Sequence, residues 1–190
     1  VVNGDKPFFL IIAQNQPHSP WNKGDSSKYK PETLEIPEYM VDSPITRKDL
    51  SNYYAEITYM DSLLGKTLDF INQANKTNNT ISIFTSEQGY SFPFGKWTCY
   101  DLGLKTAFVA KWPGKIEPNT RNNATTQYVD IVPTLLDAIG EDPGKFNVGI
   151  SDNSGNNSFD GKSFLDALKG ETDKHRNFTF GVHTTRGIIN

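Results

Sequence analysis

One cysteine, Cys99, is all the thiol this chain of 190 residues carries, which excludes an internal disulfide and any cysteine-rich zinc site. Long apolar runs are absent as well. No stretch approaches the roughly 20 residues that cross a bilayer, so no membrane span is expected. Neither sign of charge dominates: 19 basic and 22 acidic residues leave a net charge of −3, with no broad basic surface on offer to nucleic acid or to an anionic membrane. Any anion must therefore be held locally. A glycine-rich phosphate loop is missing, and no Ser-His-Asp arrangement can be read along the chain. The first residues, Val1-Val2-Asn3-Gly4-Asp5, carry neither a signal peptide nor an initiator methionine, and the chain is expected to begin within a longer protein.

What is present suits a globular fold. With 36% hydrophobic and 12% aromatic residues the chain can bury a real core, as one domain or as part of a larger one. Pro7–Ala13 is a continuous apolar run between turn residues, which predicts a strand buried on both faces that delivers His18 just beyond its end. The polar, proline-bearing residues 25–44 predict an extended surface loop. From Arg47 to about Asn75, Leu50, Tyr53, Tyr54, Ile57, Met60, Leu64, Leu68 and Ile71 recur at helical spacing and predict a long amphipathic helix with one buried stripe. Thr80–Thr85 predicts the next strand, so that strand, helix and strand would form a parallel crossover unit.

Farther on, Ala107–Trp112 predicts a third strand closed by Pro113-Gly114, and Tyr128–Ile139 predicts a helix ended by Gly140. Residues 141–158 read as a loop, residues 160–170 as a helix stopped by Gly170, and Phe178–Val182 as a late strand leading to His183. The alternation predicts an α/β fold with a mainly parallel central sheet flanked by helices. Sequons at Asn75, Asn78, Asn123, Asn156 and Asn177 are glycosylation candidates on a eukaryotic secretory route.

Chemistry concentrates in Ser86-Glu87-Gln88-Gly89 and in Tyr90–Trp97 directly after it, at the end of a predicted strand, where open α/β sheets bind ligands. Glu87 and Gln88 offer adjacent oxygen donors of the hard kind that Ca²⁺ or Mg²⁺ prefers; a solvated turn is the alternative. Lys96 suits an anion contact, able to neutralise charge developing on a leaving oxygen, or else it is a solvated lysine. His18 stands in Gln16-Pro17-His18-Ser19-Pro20-Trp21, where prolines fix the backbone on both sides. That setting suits a positioned side chain, against a loop histidine packed on Trp21. His183 divides between substrate contact and a structural role. Cys99 is expected to be a small buried residue.

The run Thr85-Ser86-Glu87-Gln88-Gly89-Tyr90-Ser91-Phe92-Pro93-Phe94-Gly95-Lys96-Trp97-Thr98 resembles the metal and sulfate site of type I sulfatases. Trp112-Pro113-Gly114-Lys115-Ile116, Tyr128–Leu136 and the Pro17-His18 loop resemble the same family in the same order. In that family an Asp followed by Asn or His stands where Glu87-Gln88 stands here, so the resemblance implies a slightly altered metal geometry. It also implies an alkaline phosphatase-like sandwich, with residues 1–190 as the central to C-terminal-side portion of the catalytic domain.

By that resemblance the expected activity is hydrolysis of a sulfate ester, on a sulfated carbohydrate by preference. Glu87 and Gln88 would hold Ca²⁺ ahead of Mg²⁺, Lys96 and His18 would bind sulfate and assist the leaving oxygen, and His183 would meet the sugar. The family's nucleophile is a formylglycine made within Cys/Ser-x-Pro-Ser/Ala-Arg. No such motif occurs in this sequence, so nucleophile and further metal carboxylates are expected upstream and the isolated chain is expected to be inactive. A periplasmic, extracellular or lysosomal location follows from the family, while oligomeric state stays open. Two alternatives remain: a phosphatase, phosphodiesterase or phosphonate hydrolase of the same superfamily, and a non-catalytic fragment that binds an anionic glycan.

Overall fold

Ser43 accepts a hydrogen bond from the Thr46 amide at 3.2 Å, and Pro44 follows at the first helical position, where the missing N–H has no partner to lose. Helix α1, Pro44–Gln73, starts there in the computed structural model, which describes residues 4–146 and 158–181. It ends at Ala74, and Asn75 takes a left-handed φ of 57°. Strand β1, Ser82–Thr85, comes next; then a short helix α2, Asp101–Leu104, and strand β2, Phe108–Lys111. Helices α3, Ile131–Ala138, and α4, Leu165–Lys169, follow, with Gly140 after α3 and Gly170 capping α4.

The chain divides into two compact units. The first takes the described residues up to Thr80 together with Glu87–Thr106. Its core lies along α1, where Leu50, Ser51, Ala55, Glu56 and Ile71 are buried and Tyr53, Tyr54, Ile57, Met60, Leu64 and Leu68 are half-buried. The stripe is therefore narrower than its spacing predicts, and it includes a carboxylate. Residues 25–43 run along α1 as two 3₁₀ turns, Ser26–Lys28 and Pro31–Thr33, pinned where Arg47 donates to the carbonyls of Pro31 and Leu34 at 2.8 and 3.0 Å. Met40 is buried within this mostly exposed segment.

The second unit takes Ile81–Ser86 with the described residues from Ala107 on. β1 and β2 pair with Ser82 opposite Lys111 and Thr85 opposite Phe108. Phe164, Leu165, Ala167, Pro133 and Thr134 are buried in this unit, and the rings of Phe108 and Phe164 meet edge to face at 5.6 Å. Each such large side chain taken from water contributes about 1.5–3 kcal/mol.

Three expectations need correction. Pro7–Ala13 forms no strand, and Phe9 and Ile11 stand 73% and 74% exposed. Its composition favours a buried strand, but a strand needs a neighbour for its backbone groups, and none among the described residues pairs with it. Second, the strand pair among the described residues is antiparallel. The expected parallel crossover joined Pro7–Ala13 to Ser82–Thr85 through α1, and it has no first strand to cross from; among the described residues β1 finds its partner in β2 instead. Third, residues 178–181 are not in a strand, and Val182 and His183 lie outside the described residues.

Candidate functional site

The exit from β1 is held on both sides of the chain. The Ser86 amide donates to the Ala107 carbonyl at 3.2 Å, the Ala107 amide donates to Ser86 Oγ at 2.8 Å, and the Tyr128 hydroxyl donates to the Ser86 carbonyl. Glu87 follows exposed and Gln88 half-buried. Gly89 then donates to the Gly103 carbonyl at 3.1 Å, and a Cβ on it would lie 1.7 Å from the Leu102 oxygen. Only glycine permits that approach.

Tyr90–Lys96 closes into a loop, with the Lys96 amide donating to the Tyr90 carbonyl at 2.7 Å and the Gly95 amide to Phe92 at 3.1 Å. Thr98 Oγ1 bonds the carbonyls of Phe94 and Gly95 at 2.8 and 2.7 Å. Lys96 is half-buried, and its Nζ lies 5.6 Å from the centroid of the Trp97 ring. Tyr90 shares a hydroxyl contact with Tyr39. Burial, then that contact, pushes the Tyr90 phenol above its ordinary value, so it stays neutral at physiological pH.

His18 is exposed, with its amide donating to the Asn15 carbonyl at 2.9 Å. Its Nδ1 lies 2.7 Å from the Ser19 carbonyl oxygen. A carbonyl only accepts, so Nδ1 carries the proton and Nε2 is left as an acceptor, or as a donor once protonated. The Trp21 ring lies against Phe92 and Tyr53. Cys99 is exposed, against the expectation that it is buried: it follows Thr98, whose hydroxyl turns the chain back on Phe94 and Gly95 and leaves the next side chain outside.

His18, Glu87, Gln88 and Lys96 belong to one compact unit. Among the described residues no hydrogen bond or ion pair joins any two of them, and no group of three or more His, Cys, Asp or Glu side chains is close enough to hold a metal ion. Glu87 and Gln88 are hard oxygen donors of the kind Ca²⁺ takes, but two such donors fall short of the roughly six to eight it requires.

A family model described as Sulfatase matches residues 2–141. The chain belongs to the sulfatase family. An ulvan-active sulfatase of Formosa agariphila is 31% identical over 195 residues, covering 99% of this chain and 35% of the relative. The human N-sulphoglucosamine sulphohydrolase is 27% identical over 168 residues, covering 70% of this chain and 31% of its own. For the human N-acetylglucosamine-6-sulfatase the figures are 26% over 195 residues, 88% and 33%. The sulfatase chain thus spans about a third of the length of these curated relatives. Among solved structures, the sulfatase candidate yidJ of Bacteroides fragilis superposes with a TM-score of 0.66 at 24% identity, covering 85% of this chain and 38% of the other. Ps i-CgsB gives 0.65 at 21%, covering 88% and 34%. The fold is the alkaline phosphatase-like α/β fold of the sulfatases.

Two buried carboxylates of this sulfatase chain escaped the sequence reading. Glu56 on α1 is 1% exposed; its Oε2 accepts from the amides of Lys23 and Gly24 at 2.9 and 3.1 Å, while Oε1 has no hydrogen-bond partner among the described residues. Asp130 is fully buried and meets Arg176 and His175. A glutamate inside the apolar stripe and an aspartate opening Asp130-Ile131-Val132-Pro133 were the available signals.

Proposed function

We propose that the full-length protein is a sulfuric ester hydrolase that removes sulfate from a sulfated carbohydrate. The observation that carries the reading is the closed Tyr90–Lys96 loop, which follows Glu87 and Gln88 directly in a chain of the sulfatase family. Relatives named for ulvan, N-sulphoglucosamine and N-acetylglucosamine 6-sulfate support carbohydrate as the substrate class.

Glu87 and Gln88 would contribute to holding Ca²⁺, which when bound would supply positive charge to offset that of the sulfate. Lys96 would bind those oxygens and offset the negative charge that grows on the leaving oxygen. His18 would present Nε2 to the same region, donating a proton when charged. His183 is proposed to meet the sugar. The formylglycine nucleophile of the family has no precursor among these residues: Cys99 stands in Trp97-Thr98-Cys99-Tyr100-Asp101, which does not match its motif. A periplasmic, extracellular or lysosomal location completes the proposal.

The test is release of inorganic sulfate from sulfated polysaccharides by the purified full-length protein, set against release of phosphate from matched phosphate esters. Sulfate release is expected to dominate, and Lys96→Ala to lower kcat by about 10²-fold. Preference for the phosphate ester would overturn the reading. Glu87→Ala is expected to raise the Ca²⁺ concentration needed for half-maximal activity; an unchanged Ca²⁺ dependence would remove Glu87 from the metal site.

A further inference from the structure

Trp21 is bonded in three directions. Its Nε1 donates to the Pro17 carbonyl at 2.9 Å, one residue before His18. Its face stacks on Phe92, with centroids 5.2 Å apart and planes at 17°, and Phe92 lies inside the loop that the Lys96 amide closes. Tyr53 of α1 sets its ring against both, at 5.6 Å from Trp21 and 5.4 Å from Phe92. The chain after Trp21 is anchored separately, where Glu56 Oε2 takes the Lys23 and Gly24 amides.

We infer that Trp21 is a positioning residue that couples the His18 loop to the Lys96 loop, so that the two side chains meet one sulfate group in a fixed relation. The inference rests on the roles proposed above for His18 and Lys96. Core packing alone needs only the contact with Tyr53. The indole N–H goes instead to the carbonyl beside His18, and the flat face to a residue of the Lys96 loop. An ordered relation between two such groups matters to rate, because a misplacement of about 1 Å can lower turnover by about 10²-fold.

The experiment uses the full-length protein and its Trp21→Phe, Trp21→Leu and Phe92→Leu variants, with amide hydrogen exchange as the first measurement. Phe92→Leu is expected to speed exchange of the His18 amide by about tenfold, and Trp21→Leu to do the same at the Lys96 amide, while amides of α1 change by less than about twofold. Trp21→Phe keeps a ring for Phe92 and loses the bond to Pro17, so it should spare the Lys96 amide and loosen His18. Unchanged His18 exchange in Phe92→Leu would overturn the coupling, as would equal loosening throughout α1.

Kinetics with para-nitrophenyl sulfate follow. Trp21→Leu should lower kcat by tenfold or more with KM within about threefold, and Trp21→Phe should recover part of that loss. A change in KM alone, or no recovery with phenylalanine, would also overturn the inference. If the unmodified protein releases no sulfate, the functional reading fails, while hydrogen exchange still decides the coupling.

Discussion

Phe94 and Trp97 hold φ values of 63° and 68°, in the left-handed region where a Cβ crowds its own backbone, and between them stand Gly95 and Lys96. Trp97 is 79% exposed, so burial of its indole does little to offset the conformation. The surrounding bonds impose it: the Thr98 amide and hydroxyl both reach back to Gly95, and the hydroxyl reaches Phe94 as well. Strain of this kind, held in place by neighbours, gathers at functional sites. Glycine at position 97 relieves it and alanine does not. Trp97→Gly is therefore expected to be more stable than Trp97→Ala by about 1 kcal/mol in urea unfolding. Equal stabilities for the two would show that the backbone stores no strain there.

Among the elements, α1 carries the first unit through one face. Gly24 lies so near it that an added Cβ would be 2.1 Å from the Ala55 carbonyl carbon and oxygen. Helix backbone cannot yield, so Gly24→Ala must push the loop away and lengthen the bonds to Glu56. A loss of about 2 kcal/mol or more is expected in denaturant unfolding, with helical circular dichroism retained. A loss below about 0.5 kcal/mol would mean that the loop moves aside freely. The longer helices were legible because their signals are local: the apolar spacing carries α1, and glycines follow α3 and α4. The start of α1 at Ser43-Pro44 lies where the prolines predict a loop, and the short α2 carries no signal. Direction of strand pairing was not legible, because it depends on what the distant ends of Pro7–Ala13 and Ser82–Thr85 meet. The candidate site could be drawn from the sequence only as residue types, Glu87, Gln88 and Lys96 on one segment with His18 and His183 apart from it. The couplings through Trp21, Glu56 and Asp130 were not, since each joins residues remote in sequence.

Across the second unit, Asp130 ties together segments far apart in the chain. Its carboxylate accepts from the Gln127 amide at 3.0 Å, the Lys162 amide at 2.9 Å and Arg176 Nε at 2.8 Å; Arg176 Nη2 adds a second arm, and His175 Nε2 lies 3.1 Å away. Its carbonyl accepts from Thr134 Oγ1, which in turn accepts from the Phe164 amide. Burial is the largest influence on the carboxyl and would raise its pKa. Arg176, the Lys162 and Gln127 amides and His175 together outweigh burial and hold it well below the usual carboxylate range. A depressed folded pKa means that the unfolded chain takes up the proton first. The stabilisation is thus complete at neutral pH, begins to fall near the unfolded value of about 4, and goes on falling as pH drops toward the folded one. Asp130→Asn is expected to lose about 3 kcal/mol at neutral pH, because it strips the partner from a largely buried Arg176. Measured from about pH 6 to about pH 3, its unfolding free energy should then decline less steeply than that of the unmodified protein, since the group that binds the extra proton on unfolding is gone. Parallel decline in the two proteins would assign the acid sensitivity to other carboxylates.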